Sequence, residues 1–306
     1  MRIAFVFLIS LLAATPLAAS PLEVLPSGHP VVEVSLDGSA PRRFVIDTAA
    51  SRTTILPSLR ARMPGLVAEK AERPLNGASG ATEIEMGRVD RLVTDGKEFR
   101  SVQTILLPPS PVDGLGVDGI LGADIIADFA VELDGPGRRW RMASTADAEM
   151  TAGMTASLPF VLDDQRAPRL TIQINGVDTP AVLDTGARGT ILNWAAAKAI
   201  GLSADAPGVV TASQVQGAST HGTASVKARL DRVELGGAVV AAPQVRIADL
   251  PIFQVIGFKT DEPAVILGLD MFDGRRLVID HPGGRLFISE LVAAGVRVID
   301  LAADFR

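Results

Sequence analysis

The chain is expected to be an all-β protein with few short helices, arranged as two pseudo-symmetric lobes that meet at a shared interface. Three observations carry that expectation. Apolar runs end repeatedly in turn signals, 29 Gly and 20 Pro break the chain throughout, and five landmarks occur twice in the same order within 306 residues. A length near two ordinary domains agrees with one lobe per copy.

The first copy opens with Val31-Val32-Glu33-Val34-Ser35-Leu36, an alternating strand pattern that ends at the hairpin signal Asp37-Gly38. Phe44-Val45-Ile46 then runs apolar into Asp47-Thr48-Ala49. In the second copy Leu170-Thr171-Ile172-Gln173-Ile174 alternates into Asn175-Gly176, and Ala181-Val182-Leu183 runs into Asp184-Thr185-Gly186. Asn76-Gly77-Ala78-Ser79-Gly80 is echoed by Gln216-Gly217-Ala218-Ser219-Thr220, and Ile120-Leu121-Gly122-Ala123-Asp124 by Ile266-Leu267-Gly268-Leu269-Asp270. Val131-Glu132-Leu133-Asp134 closes the first series and Leu277-Val278-Ile279-Asp280 the second. The offset drifts only from 137 (47 to 184) to 146 (134 to 280), too long for a solenoid repeat and right for a duplicated lobe.

The junction is placed between Trp140 and Ser157, which gives lobes at 20–148 and 149–306 after a leader at 1–19. Helix is scarce: short helices are expected at Pro57 to Arg62 and at Trp194 to Ile200, the latter stopped by Gly201. Two more are expected at Gly122 to Phe129 and at Gly268 to Phe272.

Met1-Arg2, the apolar run from Ile3 to Ala14 and the small residues Leu17-Ala18-Ala19-Ser20 form a secretory signal peptide pattern, with cleavage expected near Ala19. The run is shorter than the roughly 20 apolar residues that a spanning helix needs. The mature chain is expected in the periplasm or outside the cell, without stable membrane insertion.

Composition excludes much of ordinary chemistry. A net charge of −6 leaves no basic surface for nucleic acid. The absence of Cys removes disulfides, thiolate metal sites and a Cys nucleophile together. The three histidines, His29, His221 and His281, are too scattered for an HExxH zinc site, and no GxSxG elbow exists. No metal and no cofactor are expected. Carboxylates, hydroxyls and backbone remain.

Asp47 and Asp184 are the candidate reactive pair. Each ends an apolar strand at a corresponding point of the duplicated unit, and a pseudo-two-fold axis brings such residues face to face. Two carboxylates held that closely share a proton, which supplies a base for water and an acid for a carbonyl. Alone, either triplet also fits a turn Asp that caps its own backbone.

With these motifs in view, the chain resembles the retropepsin-like aspartic proteases over nearly all of residues 28–290, as a two-lobed, single-chain member laid out like a pepsin-like enzyme with minimal lobes. The resemblance implies a catalytic dyad of Asp47 and Asp184, supported by Thr48, Ala49, Thr185 and Gly186, with interlocking hydroxyl hydrogen bonds from the two threonines. It implies that the Ile-Leu-Gly segments pack beneath the two loops. It also implies flaps that bind an extended peptide or protein substrate through Gly77, Ala78, Ser79 and Gly80, and through Gly217, Ala218 and Ser219. A monomer carrying both lobes would hold a complete site. The alternative is a non-catalytic peptide-binding descendant with the same cleft.

Three departures from the family pattern stand out. Ala49 replaces a Gly, which would strain the loop if that position needed φ > 0. The chain has no Tyr, so a flap Tyr is missing. Ala123 and Leu269 stand where viral members often carry a basic residue.

Several motifs are read as bland. Gly114-Leu115-Gly116-Val117-Asp118-Gly119 fits GxGxxG but follows a Pro-rich stretch instead of a strand. Asp113 and Asp118 lack the other ligands of a calcium loop. Arg138-Arg139-Trp140-Arg141 is read as a solvated strand face, His221 as an exposed loop residue and His281 as a turn residue.

Overall fold

The structure, a computed structural model, describes residues 19–292. The expected leader lies outside the described residues apart from its last position. The architecture is almost entirely β, in two barrel-like lobes joined by a sheet to which both contribute.

Each lobe starts with the hairpin that its sequence pattern calls for. Pro30–Leu36 and Pro168–Ile174 bury alternate side chains, as a strand with one face on a core must. Asp37 and Gly38 take φ of 49° and 77°, and Asn175 and Gly176 take 50° and 83°. Two successive positive φ values match the right-handed twist of the flanking strands, which explains the Asx-Gly pairs at both turns.

The returning strands, Arg42–Ile46 and Val177–Leu183, lead directly to Asp47 and Asp184. Beside them lie Gly119–Leu121 and Val265–Leu267, parallel to the incoming strand and antiparallel to the outgoing pairs Thr54–Ile55 and Ile191–Leu192. The Ile-Leu-Gly segment is thus wedged between the strand entering each Asp loop and the strand leaving it. Both lobes place apolar cores beneath this arrangement, with Phe44, Ile46 and Leu121 buried in the first and Leu183, Leu192 and Leu267 in the second.

The linking sheet has six strands, in the order Ser20–Pro21, Arg139–Ala143, Ala130–Asp134, Arg276–Asp280, Arg285–Ser289 and Met154–Pro159. At its centre the fifth landmark pairs with its own repeat: Ala130 lies opposite Asp280, and the antiparallel register runs to Asp134 opposite Arg276. Antiparallel pairing of two equivalent strands is what a two-fold relation between the lobes produces.

Two bland readings change here. The Arg138–Arg141 cluster is only partly solvated, because strand alternation turns Trp140 into the core at 1% exposure. Arg141 meanwhile pairs at 2.6 Å with buried Glu132, which also holds Arg276 at 2.6 Å across the lobe boundary. His281 does sit in a turn, but it is buried, and its Nδ1–H donates to the Phe129 carbonyl at 2.7 Å. The four expected helical segments lie at Pro57–Arg60, Ala123–Ile126 and Trp194–Ala199, with a 3-10 turn at Leu269–Phe272, and two further short helices that were not expected lie at Ala148–Thr151 and Pro251–Val255. The GxGxxG stretch spans a 3-10 turn, Pro111–Leu115, and the start of a short strand.

Candidate active site

The two Asp loops meet at the lobe interface. Thr48 donates its backbone N–H to Thr185 Oγ1 at 3.0 Å, and Thr185 donates its own to Thr48 Oγ1 at 3.1 Å. Each hydroxyl then donates onward to the opposite lobe, Thr48 to the Leu183 carbonyl and Thr185 to the Ile46 carbonyl, both at 2.8 Å. Both threonines are fully buried, so this four-bond lattice works without competition from water.

Next to the lattice stand Asp47 and Asp184, whose carboxyl groups are close enough to act on one another's charge. Asp47 Oδ1 accepts the backbone N–H of Ala49 at 2.8 Å and of Ala50 at 3.0 Å. Asp184 Oδ1 accepts that of Ala187 at 2.9 Å, with a smaller contribution from Gly186. Burial pushes Asp47 above the usual carboxylate range, against the pull of its backbone donors. Asp184 is held well above that range, first by burial and then by the charge of Asp47 beside it. Such a pair takes up and releases its protons as a unit.

The loops are seated by glycines of the wedged segments. A Cβ on Gly122 would lie 2.6 Å from the Arg52 carbonyl carbon and 2.7 Å from Ala50 O, and one on Gly268 would lie 2.7 Å from the Gly189 carbonyl carbon. The close approach lets Ala123 N–H donate to Ala50 O at 2.8 Å and Leu269 N–H to Ala187 O at 3.0 Å. Ala49 is not strained, since it lies outside the left-handed region, and so does Gly186. What excludes a side chain at Gly186 is contact: a Cβ there would overlap the Asp47 carboxylate and would lie 2.9 Å even from Oδ1.

A second duplicated pair escaped the sequence reading. Thr53 donates N–H and O–H to Asp124 Oδ1 at 2.8 and 2.9 Å, while Gly122 N–H donates to the Thr53 hydroxyl at 3.2 Å. In the second lobe Thr190 N–H reaches Asp270 Oδ2 at 3.0 Å, its hydroxyl reaches Oδ1 at 2.7 Å, and Gly268 N–H reaches the hydroxyl at 3.1 Å. Each Thr–Asp pair ties the far end of an Asp loop to its wedge. Burial raises Asp124, and raises Asp270 to about 6. The signal was present in the equal spacing, with Thr53 six residues after Asp47 and Thr190 six after Asp184.

Each lobe also contributes a hairpin, and the two form a roof together. Leu75–Gly77 and Gly80–Thr82 form a hairpin with Ala78-Ser79 at its tip, and Val210–Val215 pairs with Thr223–Arg229 around residues 216–222. The tips meet: a Cβ on Gly77 would lie 3.5 Å from Ser219 N, and one on Gly217 would lie 3.2 Å from Ala78 Cβ. Ser79 donates its hydroxyl to the Val215 carbonyl at 2.6 Å, and Ser219 Oγ is buried without a partner. Ala78 rests on an apolar cluster of the second lobe that includes Ile191, Phe253 and Ile266. Ala218 rests on one of the first lobe that includes Val45, Ile84 and Leu107. His221 is exposed and lies against Gly80 of the opposite hairpin.

The expected residues are therefore brought together as paired carboxylates over a threonine lattice, roofed by two hairpins. A comparison with curated proteins finds no match. A family profile described as aspartyl protease matches twice, at residues 32–125 and 170–271. Those two spans cover most of the chain and hold one Asp loop, one wedge and one hairpin each, so the chain belongs to the aspartyl protease family as a two-lobed, retropepsin-like member.

Proposed function

We propose that the chain is an exported aspartic endopeptidase whose monomer holds a complete site, with Asp47 and Asp184 as its catalytic residues. The observation that supports this reading most is the pair of adjoining, half-buried carboxyl groups that the threonine lattice holds at the lobe interface. A water held between the carboxyls loses a proton to the ionised one as it attacks the scissile carbonyl. The protonated one donates to the carbonyl oxygen, giving a tetrahedral diol; as the C–N bond breaks, the first carboxyl gives the proton it took to the leaving nitrogen and the second takes one back from a diol hydroxyl. No covalent intermediate forms.

Extended peptide fits the space between lobes because hairpin edges offer backbone groups for strand-like pairing. The apolar clusters on either side of the pair favour apolar side chains next to the cut bond. Export rests on the leader pattern, which places the enzyme in the periplasm or outside the cell.

The test incubates the mature chain with an unbiased peptide library between pH 3 and 8, alongside Asp47→Asn and Asp184→Asn. Cleavage by the parent and by neither variant is the expected result. Cleavage that persists in both variants overturns the assignment. Retention of peptides with no cleavage at any pH means a peptide-binding protein in place of an enzyme.

A further inference from the structure

The second Asp loop has a contact with the first lobe that lies outside the threonine lattice. Arg188 follows Ala187, whose backbone N–H donates to Asp184 Oδ1 at 2.9 Å, and the Arg188 carbonyl accepts the N–H of Asp270 at 3.0 Å. The Arg188 side chain is buried at 8% exposure and crosses to the turn that opens the first lobe. There it fills the place of a side chain on Gly28: a Cβ at that residue would overlap Nε and lie 2.8 Å from Cζ. Nη2 donates to Asp273 Oδ2 at 2.6 Å, while Nε and Nη1 are buried without partners.

The turns that precede Pro30 and Pro168 are equivalent, and the second one carries its own arginine. Leu25 N–H donates to the His29 carbonyl at 3.0 Å and Gly28 N–H to that of Leu25 at 2.7 Å. Asp163 N–H likewise donates to the Ala167 carbonyl at 3.1 Å and Arg166 N–H to that of Asp163 at 2.8 Å. Gly28 takes a φ of 86° and Arg166, its counterpart, one of 66°. Arg166 bonds Asp128 of the first lobe, two residues past Ala123–Ile126, much as Arg188 bonds Asp273, which directly follows Leu269–Phe272. The loop position four residues after the reactive Asp is Ser51 in one lobe and Arg188 in the other. One guanidinium therefore meets the acid behind each helical segment, supplied once by a turn and once by an Asp loop.

The two arrangements differ in consequence. The Arg166–Asp128 pair is largely exposed, so it holds little. Arg188 is buried, and its two unpartnered N–H groups count against the stability of the fold. What the buried guanidinium supplies is a solid contact between the lobes. Leu25 of the turn beneath it is buried in one cluster with Val31 and Val45, and Val45 lies two residues before Asp47. We propose that Arg188 is a positioning residue, whose guanidinium, seated over Gly28, fixes the Asp184 loop against the part of the first lobe that carries Asp47. The inference rests on the proposed catalytic role of the pair and adds a second device that holds it.

Two measurements test this on Arg188→Ser and on the double variant Gly28→Arg/Arg188→Ser. The double variant moves the guanidinium to the turn, the arrangement that Arg166 already shows to be compatible with this backbone. The first measurement is amide hydrogen exchange. In Arg188→Ser the Ala187 amide should exchange about tenfold faster while Val278 of the linking sheet keeps its parental rate, and the double variant should return Ala187 to within about threefold of the parent. Unchanged exchange at Ala187, equal acceleration at Val278, or no recovery in the double variant overturns the proposal. Where Arg188→Ser does not fold, Arg188→Lys takes its place, since it keeps a cation for Asp273 and loses the planar fork. It should speed Ala187 about threefold, and an unchanged rate overturns the proposal equally.

The second measurement separates kcat from KM on a cleaved peptide. Arg188→Ser should lower kcat about tenfold with KM within about twofold of the parent, and the double variant should recover most of the loss. Parental kcat in Arg188→Ser overturns the proposal. A parent with no turnover at any pH counts against the endopeptidase reading alone and leaves amide exchange as the decisive result.

Discussion

Thr48 and Thr185 exchange backbone N–H and hydroxyl hydrogen bonds across the lobe interface, and each passes its hydroxyl proton on to a carbonyl of the opposite lobe. This one relationship sets the distance between the two Asp loops. It also couples lobe association to the site, because neither loop can shift without orphaning buried polar groups.

Thr48→Val and Thr185→Val should each destabilise the fold by about 1–3 kcal/mol for every buried group left unsatisfied. Peptide cleavage should fall by far more than stability does, since the lattice sets the carboxyl geometry. Thr→Ser at either position keeps the hydroxyl and should retain most of both. Urea unfolding and cleavage rates on the four variants check this, and valine variants with parental activity would contradict it.

Asp270 and His281 should make stability respond to pH with opposite signs. Asp270 is raised from 3.8 to about 6, so its contribution is full below the unfolded value and is lost as pH rises through about 6. His281 is lowered from 6.5 to about 4 by burial, so its contribution is full above 6.5 and is lost as pH falls through about 4. Each is on the order of 3 kcal/mol, and between pH 4 and 6.5 these two offset one another, on top of the gain on acidification from the raised Asp47, Asp124 and Asp184. His281→Gln should therefore steepen the rise in stability on acidification, and Asp270→Asn should flatten it. Thermal midpoints at steps across that window, for parent and both variants, supply the test.

Glu132 is buried at 4% exposure between Arg141 and Arg276, which belong to different lobes. Glu132→Gln removes the charge from a desolvated cluster, which leaves the Arg276 guanidinium without its carboxylate and Arg141 with Asp147 at 3.1 Å and Glu149 at 3.4 Å. A loss of about 3–5 kcal/mol is expected, the scale for breaking a buried ion pair from one side. Chemical denaturation measures it, and a change below 1 kcal/mol would show that water already screens the cluster.

The Ser79 hydroxyl on the Val215 carbonyl, at 2.6 Å, is the hydrogen bond that ties one hairpin to the other. Its removal in Ser79→Ala should open the roof roughly fivefold more often, from the net value of about 1 kcal/mol for a hydrogen bond. Amide exchange at Asn76 through Ala81 reads that directly. Unchanged exchange would mean that the apolar seats of Ala78 and Ala218 alone hold the tips.

Much of the layout was legible from residue order. The Asx-Gly turns, the apolar strands ending in Asp47 and Asp184, and the Ile-Leu-Gly wedges depend on local propensity and on repetition, which a linear reading detects. The Thr53–Asp124 and Thr190–Asp270 pairs were not read, although their spacing repeats, because their partners lie 71 and 80 residues apart. The burial of Trp140 and His281 was missed for a related reason: Trp140 packs into a core with strands as distant as Val32 and Phe44, and His281 bonds to Phe129, 152 residues away.

The duplication, the strands and the two recurring carboxylates can be read from residue order, since each follows from short-range pattern and its recurrence. It takes the folded chain to show that the two carboxyl groups adjoin, that Ala78 and Ala218 each rest on the opposite lobe, and that Ala49 bears no backbone strain. Those facts depend on how two surfaces distant in the chain approach one another. Closeness of that kind comes from packing and burial, which residue order constrains without displaying.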